Sequence, residues 1–73
     1  MRRTKRRIWM VQKRLEKDLT QLELAERVDV SNRTISEIER GNRHPSGKLA
    51  KKIADVLEID MVMFFEEKEN ETA

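Results

Sequence analysis

Four polar side chains that occur close together in the sequence have the chemistry to read the edges of nucleic-acid bases. They are Asn32, Arg33, Ser36 and Glu37, and Arg40 follows one helical turn later. In the major groove of DNA, asparagine pairs well with adenine, arginine with guanine, and glutamate can accept a hydrogen bond from cytosine. These residues therefore predict base contacts, provided that they form the outer face of one helix.

Two short helices joined by a sharp corner are predicted around these residues. Thr20 is a good N-cap for the first helix, and Glu23 completes a capping box three residues later. Ser31 can cap the second helix, and only residues 28–30 lie between the two. Two helices that meet at such a corner form a helix-turn-helix motif, with its core at about residues 20–40.

Apolar residues recur at helical spacing in both helices. In the first helix the predicted buried face consists of Leu22, Ala25 and Val28, and in the second it consists of Ile35 and Ile38. Burial of the two isoleucines would leave the polar face of the second helix exposed.

This segment resembles the Cro and lambda-repressor-like (XRE-type) family of helix-turn-helix DNA-binding proteins. The similarity covers roughly residues 10–65 and implies an all-α fold, a compact five-helix bundle of the lambda-repressor-like DNA-binding type. The matching residues are Thr20, Gln21, Ala25, Ser31, Ile35, the run Ile38-Glu39-Arg40-Gly41, Pro45, Ser46 and the segment 49–57.

The resemblance also implies particular structural features. In the family, an arginine placed like Arg14 makes a buried ion pair with the glutamate that matches Glu39; the alternative is an exposed arginine on an ordinary surface helix. This chain has Asp18 and Asp29 where the family usually has glycine. Aspartate tolerates the left-handed conformation better than most residues, so we expect both turns to form.

On this interpretation, helix 32–40 lies in the major groove of a double-stranded DNA operator and helix 21–28 lies across the phosphate backbone. We expect a transcriptional regulator bound as a homodimer to a two-fold symmetric operator with half-sites roughly 34 Å apart. Occupying a promoter favours a repressor, and the alternative is that occupancy activates. Phosphate contacts, which position a protein without reading sequence, are expected from Gln21, Ser31, Thr34, Arg40, Asn42 and Arg43.

Charge divides the chain into an arm, a domain and a tail. Residues 1–7 form a basic arm, residues 8–65 the DNA-binding domain, and residues 66–73 an acidic, disordered tail. The arm would lie along phosphates or enter a minor groove, or it is simply a solubilising terminus. Its cationic residues are Arg2, Arg3, Lys5, Arg6 and Arg7.

Two further segments complete the predicted bundle. A first helix at about residues 5–17 carries Ile8, Val11 and Leu15 as its buried stripe, with Met10 beside it. A fourth helix is capped by Ser46 and runs to about residue 57.

Asp60 is predicted to cap a short fifth helix that is apolar almost all round, which is typical of a partner interface. The alternative is that its two phenylalanines close the core over helices one and four. The candidate dimer-interface residues are Trp9, Met61, Met63, Phe64 and Phe65.

Other functions are disfavoured by what the sequence lacks. It has no cysteine and a single histidine, His44, which we interpret as a loop residue. No nucleophile with a base, phosphate-binding glycine loop or metal-ligand spacing is present, so neither an enzyme nor a cofactor is expected. No apolar run is long enough to span a membrane, and the basic N-terminus lacks the apolar region of a secretion signal.

We therefore expect a cytoplasmic, nucleoid-associated protein of bacterial or phage origin. The alternative function is an antitoxin or protein-interaction adaptor of the same fold, whose main partner is a protein bound through helix five.

Overall fold

The computed structural model describes residues 5–66, and all the regular structure within that range is helical. Four α-helices follow one another: α1 (Ile8–Glu16), α2 (Gln21–Arg27), α3 (Asn32–Arg40) and α4 (Gly47–Leu57). They are followed by a 3₁₀ helix, η1 (Met61–Phe64). The predicted all-α class is thus confirmed. In the described residues, no helix has the length and apolar character needed to cross a lipid bilayer.

Side-chain caps start α2, α3, α4 and η1 as the sequence predicts. The Thr20 hydroxyl accepts from the Glu23 N–H, and the Glu23 carboxylate accepts from the Thr20 N–H, which completes the capping box. Ser31, Ser46 and Asp60 accept from backbone N–H groups two or three residues later. Each cap satisfies an N–H that has no partner inside its helix.

Each α-helix ends in a residue with left-handed backbone conformation, and the next N–H bonds back to a carbonyl five residues earlier. Asp18 (φ 58°) and Asp29 (φ 64°) adopt this conformation as expected. Gly41 (φ 83°) ends α3 at no steric cost, whereas Glu58 (φ 59°) ends α4 without any signal in the sequence.

The predicted short fifth helix is present only as η1, a 3₁₀ helix of four residues, so a bundle of five α-helices is not confirmed. The turn closes when the Met63 N–H donates to the Asp60 carbonyl and the Phe65 N–H donates to the Val62 carbonyl. A segment this short cannot repay the cost of nucleating an α-helix, and the polar residues from Glu66 onward offer no apolar face that would extend it.

One apolar core joins all five elements. Its central side chains are fully or almost fully buried: Met10, Leu24, Ala25, Val28, Ile35, Ile38, Ala50, Ile53, Leu57 and Phe64. The burial of Ile35 and Ile38 agrees with the sequence analysis. Leu22 does not, since it is 52% exposed and the adjacent Leu24 takes the inner position.

The predicted buried stripe of α1 is wrong for Ile8 and Leu15, while Val11 is partly buried. Ile8 and Leu15 are 52% and 57% exposed, and the inner face instead carries Arg7, Met10 and Arg14. The helix is turned in this way because Arg14 has to reach Glu39, a contact that an inward Leu15 would prevent.

Candidate nucleic-acid interface

The core fixes which face of α3 is available to DNA. Ile35 and Ile38 are completely buried and Glu39 is 4% exposed, so these residues hold the inner face. The four predicted base-reading residues lie on the remaining surface, with Asn32 and Arg33 exposed and Ser36 and Glu37 partly exposed. The sequence therefore identified a continuous polar surface on the helix.

Arg33 is the most accessible long side chain on this surface. Its side chain is 85% exposed, and its Nε lies 3.5 Å from Glu37 Oε2 one turn further along the helix. The pair is loose and solvated, so little energy is needed to redirect the guanidinium toward a base edge.

A buried ion pair ties α3 to α1. Arg14 Nε donates to Glu39 Oε2 at 2.7 Å, and Arg14 Nη2 donates to Glu39 Oε1 at 3.3 Å. Arg14 Nη1 also donates to the Leu19 carbonyl at 2.8 Å, which fixes the chain just before α2. This is the pair that the family resemblance implies, and the two-point geometry sets the orientation of α3 as well as its position.

Gln21 extends this network rather than standing apart as a solvated surface residue. Its Nε2 donates to Glu39 Oε1 at 2.8 Å, so the first residue of α2 also contacts α3 through the buried carboxylate. A primary amide carries two N–H groups, so one remains for a DNA phosphate. Its expected phosphate contact stays a prediction.

The start of α3 and the α3–α4 loop bring three of the predicted phosphate-contacting residues together. Ser31 Oγ and Thr34 Oγ1 are 3.0 Å apart, and Arg43 Nη1 donates to Thr34 Oγ1 at 3.1 Å. Arg40 is exposed at the other end of the helix. Asn42 is partly buried, and its Oδ1 has no hydrogen-bond partner among the described residues.

Arg7 does not lie where the sequence predicts. It was placed in the exposed basic arm, yet it is 1% exposed and packs behind the end of α3. Its Nη1 donates to the carbonyls of Ile38 (2.6 Å) and Arg43 (3.1 Å). Lys5 and Arg6 are exposed as expected, and residues 1–4 of the predicted arm lie outside the described residues.

The candidate dimer interface also needs correction. Phe64 is 4% exposed and packs edge-on against Trp9, with ring centroids 5.0 Å apart, so it belongs to the core of this domain and not to a surface. Trp9, Met61 and Met63 are partly buried. Phe65 is 57% exposed, and Val62, which the sequence analysis did not select, is 38% exposed.

The remaining ionic contact of note lies between the ends of two helices. Lys17 Nζ is 2.8 Å from Glu58 Oε1, and this hydrogen bond and the lysine charge lower the pKa of the Glu58 carboxyl below its ordinary value of 4.5. Within residues 5–66, no group of three His, Cys, Asp or Glu side chains is arranged to hold a metal ion.

Comparison with known proteins agrees with this geometry. A sequence model of the helix-turn-helix family matches residues 11–64. The chain is 41% identical over 66 residues to YqaF, an uncharacterized HTH-type transcriptional regulator of Bacillus subtilis, and the match covers 90% of this chain and 87% of that protein. It is 46% identical over 54 residues to an uncharacterized HTH-type transcriptional regulator of Archaeoglobus fulgidus, covering 71% and 76% of the two chains.

The fold is similar to a solved structure, the N-terminal DNA-binding domain of SinR from Bacillus subtilis. The TM-score is 0.72 at 31% sequence identity, and the match covers 86% of this chain and 93% of the SinR domain. The resemblance inferred from the residues of α2 and α3 is thereby confirmed. The chain belongs to the helix-turn-helix family of Cro/C1 (XRE) type, a family of DNA-binding transcriptional regulators and not of enzymes.

Proposed function

We propose that this protein is a sequence-specific repressor that binds operator DNA with α3 in the major groove. The observation that carries the proposal is the outer face of α3, which presents Asn32, Arg33, Ser36 and Glu37 to solvent while the Arg14–Glu39 pair holds its inner face. A rigidly held helix with a short polar face suits readout of base edges. Such a repressor would act on nucleoid DNA in the cytoplasm.

Phosphate contacts on this proposal flank α3 on both sides. Gln21 lies at the start of α2, and Thr34 and Arg43 are joined by a hydrogen bond beside the α3–α4 loop. Ser31, Arg40 and Asn42 complete the set. Lys5 and Arg6 of the arm add salt-dependent affinity, since each neutralised phosphate releases counterions.

We propose that the protein binds as a homodimer on a two-fold operator. One domain contacts only a few base pairs, and a dimer doubles the contacts at half-sites roughly 34 Å apart. The surface that supports dimerisation is formed by Phe65 and Val62, with the partly buried Met61, Met63 and Trp9 beside them. Exposed apolar surface of this kind is typical of an interface between proteins.

The DNA-binding proposal is tested by selecting bound fragments from random DNA with the purified protein. We expect a two-fold symmetric consensus, bound at least about a thousandfold more tightly than a scrambled sequence at the same salt concentration. Recovery of fragments with no common sequence would contradict specific readout. A gel shift on the promoter of the protein's own gene tests autoregulation in the same buffer.

The dimer is tested by sedimentation of Phe65→Glu beside the matched control Leu15→Glu. Both side chains are 57% exposed in the single chain, so the two substitutions disturb the fold to a similar extent. We expect Phe65→Glu to be a folded monomer and Leu15→Glu to remain a dimer. The dimer interface lies elsewhere if Phe65→Glu remains dimeric.

The same apolar surface favours a second candidate function, an antitoxin or adaptor whose main partner is another protein. Phe65 and Val62 would then contact that partner. A toxin-like reading frame adjacent to the gene and loss of toxin neutralisation in Phe65→Glu support this candidate. Neutralisation that is unaffected by Phe65→Glu contradicts it.

A further inference from the structure

We propose that Arg7 is a positioning residue for the DNA-binding surface, which holds the α3–α4 loop from inside the domain so that Arg43 is presented to a DNA phosphate. The inference rests on the proposed function, because it concerns how a phosphate-contacting side chain is oriented. Arg7 itself is 1% exposed and is not a DNA contact.

The guanidinium of Arg7 joins two consecutive parts of the DNA-binding region. Nη1 donates to the Ile38 carbonyl in the last turn of α3 at 2.6 Å and to the Arg43 carbonyl in the following loop at 3.1 Å. Nη2 lies 3.2 Å from Nδ1 of His44, the next residue in the loop. One side chain therefore fixes the distance between the end of α3 and the loop.

Further contacts hold Arg7 in place. Its backbone N–H donates to the Glu39 carbonyl at 2.8 Å. Its guanidinium carbon lies 5.6 Å from the centroid of the Phe64 ring, a cation–π distance. The Trp9 ring packs edge-on against Phe64, with the two ring centroids 5.0 Å apart. The anchor is thus part of the core, and the loop is fixed relative to that core.

Arg43 is consequently held at both ends. Its carbonyl accepts from Arg7, and its own Nη1 donates to Thr34 Oγ1 at 3.1 Å. Thr34 is in turn 3.0 Å from the Ser31 hydroxyl at the start of α3. A long side chain that is already ordered in the free protein loses less conformational freedom when it binds, so its phosphate contact is stronger.

The fork of an arginine is required for this role. A guanidinium offers five N–H donors in one plane, whereas a lysine ammonium is a compact point charge that reaches acceptors in a different geometry. Arg7→Lys keeps the charge and cannot reproduce the planar, multi-point arrangement around Ile38, Arg43 and His44. It is therefore the informative substitution.

The test is a double-mutant cycle between Arg7→Lys and Arg43→Ala, read out as operator affinity at fixed pH and salt. In the parent we expect Arg43→Ala to weaken binding about tenfold, as loss of one well-ordered phosphate contact. In the Arg7→Lys background we expect the same substitution to weaken binding by about threefold or less, since coupled residues are non-additive. Equal losses in the two backgrounds would overturn the proposal.

A matched control separates positioning from general destabilisation. Arg33 is 85% exposed at its side chain and lies on the outer face of α3, away from the Arg7 contacts. Arg33→Ala should therefore cost the same affinity in the parent and in Arg7→Lys. If Arg7→Lys reduced the effects of Arg33→Ala and Arg43→Ala alike, Arg7 would act only through the stability of the fold.

The salt dependence of binding gives an independent readout. Arg7→Lys should lower the slope of log K against log salt concentration by about one, although the residue is buried and keeps its charge. An unchanged slope would overturn the proposal. Circular dichroism at low temperature monitors folding, and every variant is measured in the same concentration of trimethylamine N-oxide, which favours the folded state.

The outcomes also separate this inference from the proposed function. If the parent binds no DNA, the proposed function fails and the inference fails with it. If the parent binds DNA but Arg43→Ala costs nothing, DNA binding stands and the positioning role of Arg7 is overturned.

Discussion

The helix-turn-helix segment, residues 20–41, and the first helix with its preceding residues, 5–16, are held by different kinds of interaction. In the helix-turn-helix segment, Thr20 and Ser31 cap their own helices, and Asp29 and Gly41 end them. All of these contacts join residues that are close in sequence. Each helix of the motif therefore carries most of the information that defines its own limits.

The first helix has almost no such local support. It has no side-chain cap, and two of the three residues on its inner face are arginines. Their hydrogen-bond partners on α3 and in the α3–α4 loop lie 25 to 37 residues away, whereas the Leu19 carbonyl, a further partner of Arg14, is close in sequence. On the proposed function, α2 and α3 form the DNA-binding surface, and α1 holds α3 in its orientation through buried cations.

The largest effect should follow from breaking the buried ion pair. Glu39→Ala leaves the Arg14 guanidinium buried without its carboxylate, and we expect a loss of about 3–5 kcal/mol in the free energy of unfolding, measured with urea. That is a large share of the total for a small domain. Glu16→Ala is the control, because Glu16 makes only an exposed pair with Lys13 at 3.7 Å and should cost under about 1 kcal/mol. Equal urea-unfolding midpoints for the two variants would contradict a stabilising role of the Arg14–Glu39 pair.

A second effect distinguishes the two faces of α1. Met10→Ala should cost about 2–5 kcal/mol, because Met10 is completely buried in the core. Leu15→Ala should change stability by under about 0.5 kcal/mol, because Leu15 is 57% exposed. If Leu15→Ala destabilised the protein more than Met10→Ala in urea unfolding, the predicted buried stripe of Ile8, Val11 and Leu15 would be correct.

These two predictions also show what the sequence could reveal. The limits of α2, α3 and α4 were predictable because their caps and apolar residues are local signals. The choice of face on α1 was not, since Ile8, Val11 and Leu15 form a more apolar stripe than the true inner face of Arg7, Met10 and Arg14. The two sets of residues have the same helical spacing, so periodicity does not distinguish between them.

The candidate site was predictable to a similar degree. The outer face of α3 follows from the burial of Ile35 and Ile38, whereas the Arg14–Glu39 pair came from the family resemblance and not from the residues alone. The role of Arg7 had no signal at all, because its partners include the backbone carbonyls of Ile38 and Arg43. Any residue type could supply those carbonyls.

A smaller effect tests the helix-turn-helix segment, whose limits are set by residues close in sequence. Asp29 adopts φ 64° in the turn between α2 and α3. Asp29→Gly relieves a left-handed backbone strain of about 1–2 kcal/mol. Glycine also makes the unfolded chain more flexible, which costs about 0.4–1 kcal/mol. We therefore expect the free energy of unfolding to rise by about 0.5 kcal/mol. Asp29→Ala should instead destabilise. Thermal melts that rank alanine above glycine would show that the turn is not strained.

The smallest effect concerns the exposed pair between the ends of α1 and α4. Lys17 lowers the pKa of Glu58 in the folded state, so the pair stabilises the fold above the ordinary carboxyl pKa of 4.5 and this contribution is lost as the pH falls through the folded-state pKa. Glu58→Gln should therefore melt slightly below the parent at pH 7, and the gap between the two should narrow at pH 3. A gap that stays constant between the two pH values would assign the effect to something other than ionisation.

The central claim is that the outer face of α3, held by the buried arginines of the first helix, reads DNA sequence. The most direct test compares the parent with Arg33→Ala on the selected operator and on a scrambled fragment. The account predicts a loss of about 1–3 kcal/mol on the operator, relaxed preference at one base position, and almost unchanged binding to the scrambled fragment. An equal loss on both fragments would mean that Arg33 contacts only phosphate and would contradict the claim.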